Sequence, residues 1–218
     1  MKKEKFFVEN IINWYDKFGR KDLPWRLTND PWKILLAAIL LKKTTVKQVL
    51  KIYNFLANLS PEDILNVDEN WLKDILRPLG MENERAKLLK KLSKELVENF
   101  KSKVPCDEKL KQLPGVGEYT LSEVMLLACG EKKVLLDRNM IRVLERFFPM
   151  KSSKKRPRTD KNLWSKALEL VPEDIHRARK FNLGVLDFAS EICKARNPKC
   201  SICPLNSMCF YYSLKHSS

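Results

Sequence analysis

The chain has 218 residues, 44% of them hydrophobic and 32% charged, with 42 Lys and Arg against 27 Asp and Glu for a net charge of +15. That is enough apolar material for a real core, which excludes a disordered chain, and enough positive excess to suit a polyanionic partner, because basic groups that neutralise phosphates release counterions. The opening MKKEKFFVENIINWY lacks the apolar stretch and cleavage site of a signal peptide, and no run approaches the roughly eighteen apolar residues of a membrane span, so a cytoplasmic protein without membrane contact is expected.

Taken in chain order, the pattern is helical nearly throughout. Phe7, Ile11, Trp14, Tyr15 and Phe18 recur at helical spacing before Gly19. Asn29 or Asp30 can cap a helix that opens on Pro31 and continues through the apolar run Ile34 to Leu41, a run suited to a domain centre. Val46 to Leu56 follows, and Ser60-Pro61-Glu62-Asp63 supplies a cap, a first-turn proline and early acids for the next helix. Ala86, Leu89, Leu92 and Leu96 form the inner stripe of a helix over 84–97. A short helix over 110–113 leads to a glycine turn, and helices over 119–129 and 138–148 come after it. Lys151 to Arg158 breaks the pattern with five basic residues and a proline, which reads as an exposed linker or a phosphate contact. Helices over 164–171 and 177–192 precede a cysteine-rich end. No strand alternation, internal repeat or heptad interrupts this all-α reading.

Cys193, Cys200, Cys203 and Cys209 are separated by six, two and five residues. Four soft thiolates so close can wrap one compact centre, a four-iron four-sulfur cluster or a zinc ion. Cys106 and Cys129 are left over, and Cys129 reads as a small core residue on an apolar helical face. Lys194, Arg196 and Lys199 sit on the loop that a metal centre would pin, where fixed cations can clamp a phosphate backbone. Leu113-Pro114-Gly115-Val116-Gly117 lies between helical segments; its glycines permit a tight turn whose free amides, at a helix start, can face an anion. No strand precedes it, so a DNA phosphate suits it better than a dinucleotide.

Three ordered blocks, LPGVGEYT at 113–120, LLDRNMIRVLERFF at 135–148 and CKARNPKCSICPLNSMC at 193–209, resemble the helix-hairpin-helix DNA glycosylases of the endonuclease III superfamily. The resemblance spans nearly the whole chain. It implies a six-helix barrel domain over 24–133, and a second helical domain from 1–23 and 134–218 that carries a four-iron four-sulfur cluster on the four C-terminal cysteines. A substrate pocket would open between the two. The implied partner is double-stranded DNA with a mismatched or damaged base, the implied product an abasic site for downstream repair enzymes, and a monomer is the expected state.

By the same resemblance Asp137 is the catalytic acid, whose carboxylate would stabilise positive charge on the sugar as the N-glycosidic bond breaks or orient the attacking water. Tyr119 stands where the bifunctional branch has the lysine that attacks the sugar. A phenol forms no Schiff base, so monofunctional hydrolysis follows; Lys42 and Lys43 are weak candidates for any residual lyase activity. Tyrosine here and the segment LPWRLTNDPWKILLAAILLKKTT at 23–45 resemble the archaeal thymine/uracil mismatch glycosylases and the MutY-like adenine glycosylases. Both branches carry Glu where this chain has Ala38, a loss that weighs against adenine chemistry and leaves open a changed base or a non-catalytic lesion binder. Thymine or uracil opposite guanine is the leading substrate. Lys43 and Met81 are the candidate wedges that fill the gap left by a flipped base, and Gly115, Val116, Gly117, Lys194, Arg196 and Lys199 are the other candidate DNA contacts. Trp25, Arg26, Trp32, Leu35 and Ala38 are candidates for the base pocket. Asn182 and Asp187 either support the acid or pair within the fold.

Overall fold

In a computed structural model describing residues 2–216, every regular element is helical. The α-helices run Lys3–Phe18 (α1), Pro31–Leu40 (α2), Val46–Leu50 (α3), Tyr53–Leu56 (α4), Pro61–Asn66 (α5), Glu69–Leu76 (α6), Glu82–Phe100 (α7), Glu118–Leu127 (α8), Arg138–Phe147 (α9), Lys161–Leu170 (α10), Ile175–Glu191 (α11) and Phe210–His216 (α12). The single helix expected over 46–56 is instead two short ones, because the chain turns at Ile52, which caps α4 with a non-helical backbone. The expected 110–113 helix is a 3-10 turn over Glu108–Gln112.

Local chemistry starts these helices as the sequence suggests. Asp30, rather than Asn29, caps α2 by accepting from the Trp32 and Lys33 amides. Thr45 and Ser60 form reciprocal capping boxes with Gln48 and Asp63. Asp68, Asp137 and Asp174 cap α6, α9 and α11.

The chain divides into two units, one of residues 1–21 and 131–218, the other of 22–130. In the continuous unit, α7 packs along α5 and α6, while α2 packs on α8. Seven consecutive α2 side chains, Ile34 to Leu40, are buried, with Leu35, Leu36 and Leu40 fully so, and this helix is the apolar centre of its unit. A disulfide joins Cys106 to Cys129, with Cα atoms 5.6 Å apart. This corrects the reading of Cys129 as a core filler: α8 ends at Leu127, and the cysteine lies half-buried in the turn beyond it, free to reach Cys106.

In the other unit, α11 is the hub, packing on α1 and on α9. Gly184 permits the α1 approach: a Cβ there would meet Ile11 at 3.0 Å and Tyr15 at 3.1 Å. Phe7 from α1 packs tilted against Phe147 and edge-on against Phe181, with ring centroids 4.9 and 6.0 Å away, and Trp14 meets Phe188 edge-on at 5.4 Å. Arg20 closes the far end, donating from its backbone N to Asp187 Oδ2 at 2.9 Å and from Nε to Oδ1 at 2.8 Å. Asp187 therefore pairs within this unit.

Candidate active site

Asp137 lies at the point where a segment without regular structure, 131–137, turns into α9. Its Oδ1 accepts from the backbone amides of Asn139 and Met140, each at 2.8 Å, and Oδ2 accepts from the Asn139 side-chain amide at 2.8 Å. The residue is thus an N-cap as well as the candidate acid. Three bonds fix the plane of the carboxylate, and acceptor capacity remains on Oδ2. Burial pushes the carboxyl above its ordinary range, opposed by the amides of Met140 and Asn139.

The segment entering Asp137 is fastened by a residue left with two readings from sequence. Asn182, wholly buried on α11, accepts from the Leu135 amide at 2.8 Å and donates to the Lys133 carbonyl at 3.2 Å and the Ala178 carbonyl at 2.9 Å. The acid and the hub helix are therefore rigidly linked.

Helix α9 also holds the cysteine loop. Arg142 donates from Nε to the Cys193 carbonyl and from Nη2 to the Ala189 carbonyl, both at 2.9 Å. Arg146, one turn on, donates to the carbonyls of Lys194 at 2.6 Å and Ala195 at 3.0 Å, approaches Cys193 Sγ at 3.5 Å and stacks over the Tyr211 ring. These two arginines escaped the sequence reading; their i, i+4 spacing on the polar face of an otherwise buried helix was the available signal. Cys193, Cys200, Cys203 and Cys209 are all free and half-buried. Burial and the neighbouring thiols push Cys203 up to about 12 and raise Cys209, the cost of crowding thiolates that bound iron would offset. An all-sulfur donor set of four cysteines close together in the chain fits an iron–sulfur cluster. Lys194 is half-buried, whereas Arg196 and Lys199 are exposed on this loop.

In the continuous unit the hairpin turn requires glycine at position 115. Gly115 has φ +82°, and a Cβ there would press on Ile39 and Leu88 at 3.0–3.1 Å. The Val116 amide donates to the Leu113 carbonyl at 3.1 Å, Gly117 is the N-cap of α8, and half-buried Tyr119 is in its first turn.

Lys43 and Met81 share an unusual property: both are non-glycine residues with φ 54°. One buried guanidinium ties their turns together. Arg85 donates to the Leu40 carbonyl at 3.1 Å and the Lys42 carbonyl at 2.5 Å on one side, and to the Gly80 carbonyl at 2.8 Å on the other. Lys42 in turn donates from Nζ to the Gly115 carbonyl, so both turns and the hairpin form one hydrogen-bonded edge. Met81 remains 46% exposed, as a wedge needs.

The candidate pocket residues are less accessible. Trp25 is buried edge-on against Tyr53, Trp32 donates from Nε1 to the Leu59 carbonyl at 2.8 Å, and Leu35 is wholly buried. Ala38 is also buried on α2, and Arg26 is half-buried. Trp32 does line a cavity of about 560 Å³, with Asp30, Ser60 and Lys103.

Residues 36–168 match the model of the HhH-GPD superfamily base excision DNA repair proteins, and residues 193–209 match the iron–sulfur binding domain of endonuclease III. The chain belongs to the HhH-GPD superfamily. Its second match bears out the four-iron four-sulfur cluster that the resemblance implied. The chain is 56% identical over 210 residues to a thymine/uracil-DNA glycosylase of Pyrobaculum aerophilum, covering 94% of this chain and 91% of the relative. It is 51% identical to a thymine-DNA glycosylase of Aeropyrum pernix, covering 93% and 92%. Among solved structures, a thermostable thymine-DNA glycosylase superposes with a TM-score of 0.90 at 38% identity, over 97% of both chains. The all-α glycosylase fold, the family and the assignment as a DNA glycosylase are borne out. No helix among the described residues is long and apolar enough to cross a membrane.

Proposed function

We propose that this HhH-GPD protein is a monofunctional glycosylase that hydrolyses the N-glycosidic bond of thymine or uracil mispaired with guanine. The carrying observation is the capped, desolvated carboxylate of Asp137 in a chain with tyrosine, not lysine, at 119. The two similar glycosylases named for thymine or uracil support the choice of base.

In the reaction, the bond from the sugar C1′ to the base breaks with its electron pair leaving on the base. Positive charge develops on the sugar, and the ionised Asp137 stabilises it at little reorganisation cost because its orientation is already fixed. Water then adds its oxygen to C1′; one proton goes to the departing base and an abasic site remains. Tyr119 offers no amine to capture the sugar. Lys43 and Met81 would fill the vacated stack, the hairpin amides and the Lys194, Arg196 and Lys199 cations would hold phosphates, and Arg85 would keep both wedge turns in place. The cluster, when bound on its four cysteines, supplies a rigid crosslink for the cationic loop. The protein acts as a monomer and leaves its product to enzymes that process abasic sites.

Purified protein offered a panel of duplexes with T, U or A opposite G, and with damaged purines, tests this. Expected is base release from G·T and G·U, with strand breaks only after alkali. Release of adenine or a damaged purine instead would change the substrate, an outcome that Ala38 in place of the family Glu weighs against for adenine. Strand cleavage without alkali, with a borohydride-trapped adduct, would refute monofunctional hydrolysis. Binding without release across the panel would make the protein a lesion binder.

A further inference from the structure

The basic segment 151–158 has no part in the reaction above, and its structure is unlike that of a slack linker. The Ser152 amide donates to Glu145 Oε1 at 2.9 Å, and Ser152 Oγ donates to Asp160 Oδ2 at 2.6 Å and accepts from the Lys154 amide at 3.1 Å. Thr159 Oγ1 donates to the Arg156 carbonyl at 2.8 Å, and Trp164 Nε1 to the Arg158 carbonyl at 2.7 Å. The backbone is thus pinned to α9 and α10 while its basic side chains stay at the surface.

Between this segment and α9 lies an open recess of about 640 Å³, lined by Arg138, Ile141, Arg142, Glu145, Arg156, Pro157 and Arg158. Arg142 and Glu145 are engaged by the cysteine loop and Ser152. The exposed side chains of Arg138, Arg156 and Arg158 make no hydrogen bond or ion pair among the described residues. Three guanidiniums without an ion-pair partner line one concave surface against the single carboxylate of Glu145, and a shared anion would relieve their repulsion.

The recess begins beside the acid. Arg138 follows Asp137 directly, with its Cα about 3.8 Å along the chain. A nucleotide whose sugar meets Asp137 brings its flanking phosphates within reach of Arg138. A strand running along α9 would then meet Arg156 and Arg158 on a loop already ordered to receive it. We infer that this recess is a further DNA site, a clamp for the sugar–phosphate backbone next to the target nucleotide, distinct from the hairpin and the cysteine loop. The inference rests on the DNA reading above.

Its test is salt-dependent binding to an undamaged fluorescent duplex, which needs no catalysis. Wild type is compared with R156Q/R158Q and with a control that removes equal charge from exposed sites on α1, K5Q/K17Q. Each lost phosphate contact lowers the slope of log affinity against log salt by about 0.9. The recess variant should lose about 1.8 from the slope, so that wild-type affinity falls about twelvefold more than the variant's between about 50 and 200 mM salt. The control should keep the wild-type slope. An unchanged slope in R156Q/R158Q, or an equal loss in the control, would overturn the clamp alone. A wild-type protein that binds no duplex would overturn the DNA reading and the clamp with it.

Discussion

The side-chain oxygen of Asn182 accepts the Leu135 amide proton at 2.8 Å, wholly out of solvent, two residues before Asp137. The bond joins the hub helix to the segment that delivers the acid. Asn182→Leu would leave the Leu135 amide and the Lys133 carbonyl without this partner, and an unsatisfied buried group costs about 1–3 kcal/mol. A lower melting temperature and a fall in kcat larger than the change in KM are expected. Unaltered kcat in a folded variant would show that the anchor does not position Asp137.

Asp137 combines cap and candidate acid, and two substitutions separate these roles. Asparagine caps as well as aspartate, whereas Asp137→Ala should lose about 1 kcal/mol of stability with the cap. Because the folded carboxyl is raised, ionising it costs stability, a cost absent below the ordinary carboxylate value and complete above the folded one. Asp137→Asn should therefore melt at or above the wild-type temperature at neutral pH while excision nearly vanishes. Thermal melts alongside single-turnover assays check both halves.

The same raised carboxyl gives the pH dependence its sign. The rate requires the ionised form, so single-turnover excision should rise with pH through a limb lying above the ordinary Asp value of about 3.9. A rate flat down to that value would mean that another group limits the reaction.

Arg85 bridges the turns of Lys43 and Met81 through three carbonyls. Lysine cannot span both turns with one ammonium as a planar guanidinium can. R85K should keep its affinity for undamaged duplex yet lose its preference for a mismatch, measured by competition binding. A preserved preference would detach Arg85 from the wedges.

The Cys106–Cys129 disulfide closes a loop over a sequence separation of 23 residues around the hairpin. A crosslink of that span contributes about 3 kcal/mol by restricting the unfolded chain. Cys106→Ser, or reduction of the wild type, should lower the denaturant midpoint accordingly, and matched midpoints with and without reductant would show that the bond is not formed.

What the sequence determined by itself was whatever depends on residues near one another along the chain. Helical periodicity, the Asp and Ser caps, the Gly115 turn and the cysteine spacing are local, and each carries its physics within a few residues. Other features needed the fold. The pairing of Cys106 with Cys129, the single arginine under two distant turns, and Asn182 beneath the approach to Asp137 join positions 23 to 47 residues apart. Side-chain partners were equally illegible: the Trp25 ring lies edge-on against Tyr53, and Trp32 donates to the Leu59 carbonyl. Periodicity reports which face of a helix is apolar, and only the packed chain decides what that face meets.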